Sequence, residues 1–230
     1  MSDIVGTLYQ SEDTSQSAGR STGRMPAHGS SLAGGFEQPV VDAQSVFRAV
    51  MEAFSRPGRS VALSTKVEPP SPLTVEAGAV ALALFDQDTP IWCDAPLAGE
   101  PAIRDWLAFH TGAPVAAGPE QAAFALISAA DRMPALSGFA QGTADYPDRS
   151  TTLIMMVNTL MSRDVVRLAG PGIEATETIA PAPLPANFWD QARANQTLFP
   201  RGVDILFAAP GKIAALPRST RIPVNASMED

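Results

Sequence analysis

Asn195-Gln-Thr-Leu-Phe199-Pro200-Arg-Gly202-Val-Asp204 runs into Ile205-Leu-Phe207, a Pro210-Gly211 turn and Leu216-Pro217-Arg218-Ser219-Thr220. Polar and turn residues stand at fixed places around two short apolar runs. Proline presets its own φ and glycine accepts a positive one, so Pro210-Gly211 between apolar runs is a turn with a mechanism. The stretch therefore predicts strand, turn and strand, closing a sheet and ending in an arginine set for a partner or an anion.

Upstream, Asp42 is placed to cap a helix in which Val46, Phe47, Val50, Met51 and Phe54 recur at intervals of three and four, ended by Pro57-Gly58. Arg59 to Leu63 reads as a strand. The alanine-rich run from Thr74 to Phe85 is too long for an ordinary strand and reads as a buried helix. Pro90 to Cys93 is a short strand, and Gly99 to Phe109 a helix with Ile103, Trp106, Leu107 and His110 on one side and Gly112 as terminator. The second half is richer in strands: Ala122 to Ser128, Thr152 to Val157, Val165 to Ala169 and Glu174 to Ile179, with Gly170-Pro-Gly172 turning the chain between the last two. A helix from Ala186 to Thr197 interrupts them. This order predicts an α/β protein of three layers, a mixed sheet with helices on both faces.

Residues 1–36 are dominated by Ser, Thr, Gly and Gln and read as a disordered extension, because they cannot bury enough surface to offset their conformational entropy. One domain over residues 37–225 and a tail at 226–230 follow. A content of 45% apolar and 17% charged residues over 230 positions suffices for a sizeable core. The net charge of -8, with sixteen Lys and Arg spread thinly, argues against a duplex-binding surface, since phosphate contacts need clustered cations. Cys93 stands alone, and no apolar run approaches the length of about eighteen residues that a membrane span needs. The expectation is a cytoplasmic protein without membrane or nucleic-acid contact.

Signatures of catalysis are missing. There is no phosphate loop ending in Gly-Lys-Ser or Gly-Lys-Thr, no Gly-x-Gly-x-x-Gly and no Gly-x-Ser-x-Gly. His28, His110 and Cys93 are too few and too scattered for a structural zinc, and Lys66 and Lys212 are the two lysines on which Schiff-base chemistry would rest. No metal and no cofactor are expected.

Four polar groupings remain. Asp86-Gln-Asp88-Thr-Pro90 either manages protons or a cation, or is turn chemistry in which Asp side chains bond nearby backbone N–H groups. His110, at a helix C-terminus, either bonds the last carbonyls or serves as acid or base. Arg48, flanked by Phe47 and Ala49, either pairs with a buried carboxylate or reaches an interface. Asp204 and the Arg218 to Thr220 run flank the closing strands, where a guanidinium and hydroxyls are suited to an anion or partner, or to ordinary salt bridging.

Taken in order, these segments resemble the PhnH family, a subunit of the bacterial carbon-phosphorus lyase system for phosphonate use. The resemblance rests on Val41-Asp-Ala-Gln44 leading to Phe47-Arg48, Met51, Ser55 and Pro57-Gly58, on Asp86-Gln-Asp88-Thr-Pro90 with Trp92, and on Phe109-His110-Thr111 with Ala113-Pro114. Gly170-Pro-Gly-Ile173, Phe199-Pro-Arg-Gly-Val-Asp204 and Leu216-Pro-Arg-Ser-Thr220 complete it. It implies a subunit of the assembly that replaces the adenine of ATP with an alkylphosphonate, giving a ribose 1-phosphonate 5-triphosphate, with the base-displacing chemistry on a different subunit. It further implies a fold like the large domain of pyridoxal-phosphate-dependent transferases without the cofactor, a homodimer, and other carbon-phosphorus lyase core subunits as partners. Two other functions compete with it: an independent enzyme using His110 with Asp86 or Asp88, and a regulator holding an anion with Arg48, Arg218 and Arg221. A subunit of an assembly should leave an apolar patch larger than a monomer tolerates, rimmed by polar residues.

Overall fold

The computed structural model describes residues 32–223. At its centre lie β4 (Thr152–Met156) and β7 (Asp204–Ala209), parallel neighbours in register from Thr152↔Asp204 to Met156↔Ala208. On one side β3 (Phe124–Ile127) and β2 (Ile91–Cys93) continue the parallel sheet. On the other, β8 (Lys212–Leu216) returns antiparallel from β7 across the Pro210-Gly211 turn, and β1 (Val61–Ala62) forms the far edge, antiparallel to β8. The result is a six-stranded mixed sheet of order β1-β8-β7-β4-β3-β2.

The sheet is buried from both sides, and the strand period of two sorts its residues between two cores. Leu126, Ile154, Met156, Leu206, Ala208, Ile213 and Ala215 face the first, which is closed by α1 (Pro39–Ser55), α2 (Val75–Leu84) and α4 (Pro101–Thr111). Ala125, Ile127, Leu153, Met155, Ile205, Phe207, Ala214 and Leu216 face the second. Such strands read as continuous apolar runs rather than alternation, as Leu-Ile-Met-Met and Ile-Leu-Phe-Ala-Ala do here.

The second core departs from the expected helical layer. It is closed by α5 (Phe188–Thr197) through Phe188 and Ala192, by short 3-10 turns carrying Leu136, and by a separate antiparallel ribbon of β5 (Val166–Leu168) and β6 (Glu177–Ile179). The Gly170-Pro-Gly172 segment does turn the chain between these strands, but the ribbon never joins the main sheet. Its residues Leu168 and Ile179 are buried and Val166 packs beside them, so the ribbon serves as a lid on this core.

Local chemistry explains the element ends. Thr74 caps α2, its hydroxyl accepting from Ala77 N–H. Asp42 is not the cap of α1: the helix opens at Pro39, and the Asp42 carboxylate reaches back to accept the Gln38 N–H at 2.8 Å. The helix expected from Gly99 begins instead at Pro101, because Asp94 caps a separate short helix, α3 (Ala95–Ala98), and Gly99 ends it. Gly112 terminates α4 in the left-handed region at φ 69°, which glycine adopts without a Cβ clash. The strand expected over residues 59–63 contracts to Val61–Ala62, two residues paired with Ile213 and Lys212 at the sheet edge.

Residues 32–36, assigned from sequence to the extension, pack onto the fold. Trp106 Nε1 donates to Ala33 O at 2.9 Å, Glu68 N–H donates to Gly34 O at 2.8 Å, and Phe36 lies against the first core. The rest of the expected extension, with His28, lies outside the described residues.

Phe207 is fully buried in the second core whereas Phe47 on α1 is 48% exposed. Truncating Phe207 to Ala should therefore cost about 3–5 kcal/mol in urea unfolding, and Phe47→Ala less than about 1 kcal/mol. Equal losses would place Phe47 in a packed environment that the fold does not show.

Candidate functional site

The closing hairpin brings two of the sequence candidates together. Asp204 opens β7 and Arg218 follows β8, so the antiparallel return sets them side by side. Arg218 Nε donates to both Asp204 carboxylate oxygens at 3.1 Å, a second guanidinium nitrogen pairs with Asp204 Oδ2, and the third donates to Pro147 O at 2.7 Å. The Arg218 backbone N–H adds a bond to Asp204 Oδ1 at 2.8 Å. Both side chains are largely buried, at 14% and 21% exposure, so the fork is spent on internal contacts rather than offered to an anion. Thr220, two residues on, is buried, and its hydroxyl has no partner among the described residues.

Asp86 and Asp88 form a turn. Asp86 Oδ1 accepts the Asp88 N–H at 2.9 Å, and Thr89 Oγ1 both accepts the Asp86 N–H at 2.7 Å and donates to its carbonyl at 3.0 Å. This is the side-chain-to-backbone chemistry that defines an Asx turn. No hydrogen bond joins these carboxylates to His110 among the described residues.

His110 does not bond the last carbonyls of α4. Thr111 Oγ1 takes Leu107 O at 2.7 Å and the Gly112 N–H takes Ala108 O at 3.0 Å, leaving the imidazole to stack against Trp106 and Phe109 with ring centroids 4.9 and 5.0 Å away. Its Nε2 is buried and without a hydrogen-bond partner among the described residues. Residues 33–36 lie directly over it: a Cβ on Gly35 would come within 2.5 Å of His110 Cε1, so glycine is what permits the approach.

Arg48 is exposed on α1 and makes no ion pair among the described residues. It flanks a stripe in which Val40 (72% exposed), Phe47 and Met51 (52%) recur at i, i+7 and i+11 on one helical face. An exposed aromatic, a Met and a free Arg side by side match the composition of interface cores. The first helix thus exposes an apolar stripe beside Arg48.

Sequence reading missed Asp94. This carboxylate is 5% exposed at the carboxyl end of β2 and accepts from Ser128 N–H at 2.7 Å, Ala129 N–H at 2.8 Å, Ser128 Oγ at 3.0 Å and Leu97 N–H at 3.3 Å. It ties the ends of β2 and β3 to the start of α3 and lines a crevice of about 370 Å³ together with Trp92, Ala129, Arg132 and Pro134. The signal for it was Asp94-Ala-Pro96 directly after an apolar strand, an N-cap with proline in the first turn. Beside it, burial first and the Asp94 charge second push the Cys93 thiol up to about 12, which makes it a poor nucleophile at neutral pH.

No three His, Cys, Asp or Glu side chains converge among the described residues, and no described helix is long and apolar enough to cross a membrane. The class defined by fold and site is a mixed α/β protein whose one largely buried ion pair among the described residues braces its own frame and whose exposed first helix carries an interface-like stripe.

Comparison with known proteins gives that class a family. The model described as "Bacterial phosphonate metabolism protein (PhnH)" matches residues 34–223, and the chain belongs to this family. The alpha-D-ribose 1-methylphosphonate 5-triphosphate synthase subunit PhnH of Rhizobium meliloti (strain 1021) is 43% identical over 198 residues, covering 86% of this chain and 98% of that protein. HtxG of Stutzerimonas stutzeri, described as a C-P lyase subunit protein, is 29% identical over 179 residues, or 78% of this chain and 85% of its own length.

Replacing Arg218 by Ala should cost about 2–4 kcal/mol, because it strands the largely buried Asp204 carboxylate. The double variant Arg218→Ala, Asp204→Ala should recover part of that loss, as denaturant unfolding of the two variants will show. An unchanged midpoint for Arg218→Ala would mean that the pair does not brace the hairpin.

Proposed function

We propose that this chain is a non-autonomous subunit of a carbon-phosphorus lyase core complex, required for forming ribose 1-alkylphosphonate 5-triphosphate from ATP and a phosphonate. The observation that carries this reading is the alignment with a synthase subunit along 98% of that subunit's length. The polar inventory fits a companion role. A triphosphate and a phosphonate call for several convergent cations, whereas Arg218 is committed to Asp204 and Arg132 sits beside Asp131.

The chain then contributes surface rather than chemistry. Arg48, with the Phe47 and Met51 side chains beside it, is the part of the candidate set best placed to meet a partner. Asp86 and Asp88 shape their own turn, Asp204 and Arg218 brace the closing hairpin, and His110 packs closely against Gly35. A fold like the large domain of pyridoxal-phosphate-dependent transferases without the cofactor, self-association into a homodimer and a cytoplasmic setting belong to the same proposal.

A phosphonate-using strain lacking this chain should fail to grow with methylphosphonate as its phosphorus source while growing normally on phosphate. The wild-type chain should restore growth, and a Phe47→Glu, Arg48→Glu double variant that keeps its thermal midpoint should restore at most about a tenth of the rate, since hot-spot losses of 2 kcal/mol or more weaken association over tenfold. Growth of the deletion strain on methylphosphonate would refute the assignment.

A further inference from the structure

The strand β2 lies at an edge of the main sheet, and its outer side is paired for a single rung. Ile91 N–H donates to Pro114 O at 2.8 Å and Ile91 O accepts from Ala116 N–H at 2.7 Å, a parallel bridge centred on Val115. The next rung of the same ladder would join Cys93 N–H to Ala116 O and Gly118 N–H to Cys93 O. Neither bond forms among the described residues, because the chain leaves the sheet edge into the 3-10 turn Pro119–Gln121. On the inner side, the register Cys93↔Leu126 and the bond from Asp94 N–H to Leu126 O commit the groups of the flanking residues to β3, so those of Cys93 point outward.

Where the rung is missing there is an apolar cavity of about 290 Å³. Cys93, Leu97, Ile103, Leu107 and Val115 line it, and Arg104 stands on its rim. The Arg104 side chain is 60% exposed, and its nearest carboxylate is that of its chain neighbour Asp105 at 3.7 Å. One backbone donor and one acceptor on a single residue, at strand spacing above an apolar hollow and beside a cation, are what an added strand uses. Main-chain bonds hold such a strand, and alternate side chains fill the pockets. Unprotected sheet edges invite this pairing unless they are covered.

We propose that this gap receives an extended segment of a companion subunit, which completes the Cys93 rung, inserts an apolar side chain between α3 and α4 and sets a carboxylate against Arg104. The inference rests on the assembly role proposed above. A carboxylate-bearing segment is favoured because Arg104 is the cation at the rim and its one ion-pair neighbour among the described residues, Asp105, is itself 57% exposed, and two chains of net charge -8 repel one another, which disfavours a second copy as the donor.

The test compares the purified full chain with the complex co-purified with its companion subunits, reading exchange at the Cys93 amide by hydrogen–deuterium exchange. The variants Ala117→Glu, at a residue that also lines the cavity, and Arg104→Glu are followed by co-purification and thermal unfolding. Assembly should slow Cys93 exchange by about 100-fold or more, and either variant should cut co-purified complex by about tenfold, a loss of 1.4 kcal/mol in association, with its melting point unchanged. If the complex forms while Cys93 exchanges as it does in the free chain and both variants co-purify in full, strand addition is wrong and the assembly role survives. A Cys93 amide already protected in the free chain would also overturn it, since the chain would then fill its own gap. Failure of the wild-type chain to associate at all would remove the assembly role together with this inference.

Discussion

Burial of β4 and β7 on both faces is the constraint from which the rest of the molecule follows. Every inward position of these strands must be apolar, and one strand face cannot be exchanged for the other without putting its side chains into the wrong core. From Leu153 to Met156 and from Ile205 to Ala209 no polar side chain interrupts the pair. Polar chemistry is therefore driven to the strand ends. There Asp94 gathers donors at the carboxyl end of β2 and β3, and Asp204 holds Arg218 at the opposite end of β7.

These ionic groups are largely consumed by the frame. A buried carboxylate persists only where donors surround it, and both Asp94 and Asp204 are surrounded. The consequence for function is that the buried carboxylates are spent on the frame, while the exposed stripe of α1 and the unfinished edge of β2 leave apolar surface and backbone groups to be covered. Both features suit a protein that works through neighbours.

Much of the fold is legible in the sequence because continuous apolar runs and Pro-Gly turns report directly on local geometry. The β7–β8 hairpin, the alanine-rich α2 and the Gly112 terminus of α4 were readable in this way. What could not be read depended on contacts distant in sequence. The β5–β6 ribbon looks like two sheet strands until Leu168 and Ile179 are seen closing the second core. Asp94 looks like a loop residue until Ser128, thirty-four positions on, donates to it. His110 offers the general lesson: its place beside Trp106 on the inner side of α4 follows from helical period, but its neighbour Gly35 comes from packing, and Thr111 takes over the capping bond that a terminal histidine would be expected to make.

The central claim is that the chain supplies surface to an assembly and no complete reaction of its own. Titrating it into its purified companion subunits while following consumption of ATP and methylphosphonate tests this most directly. The account predicts no turnover by the chain alone, and a rate that climbs with added chain and levels off at a fixed stoichiometry. Turnover by the isolated chain, or full turnover by the companions without it, would contradict the account.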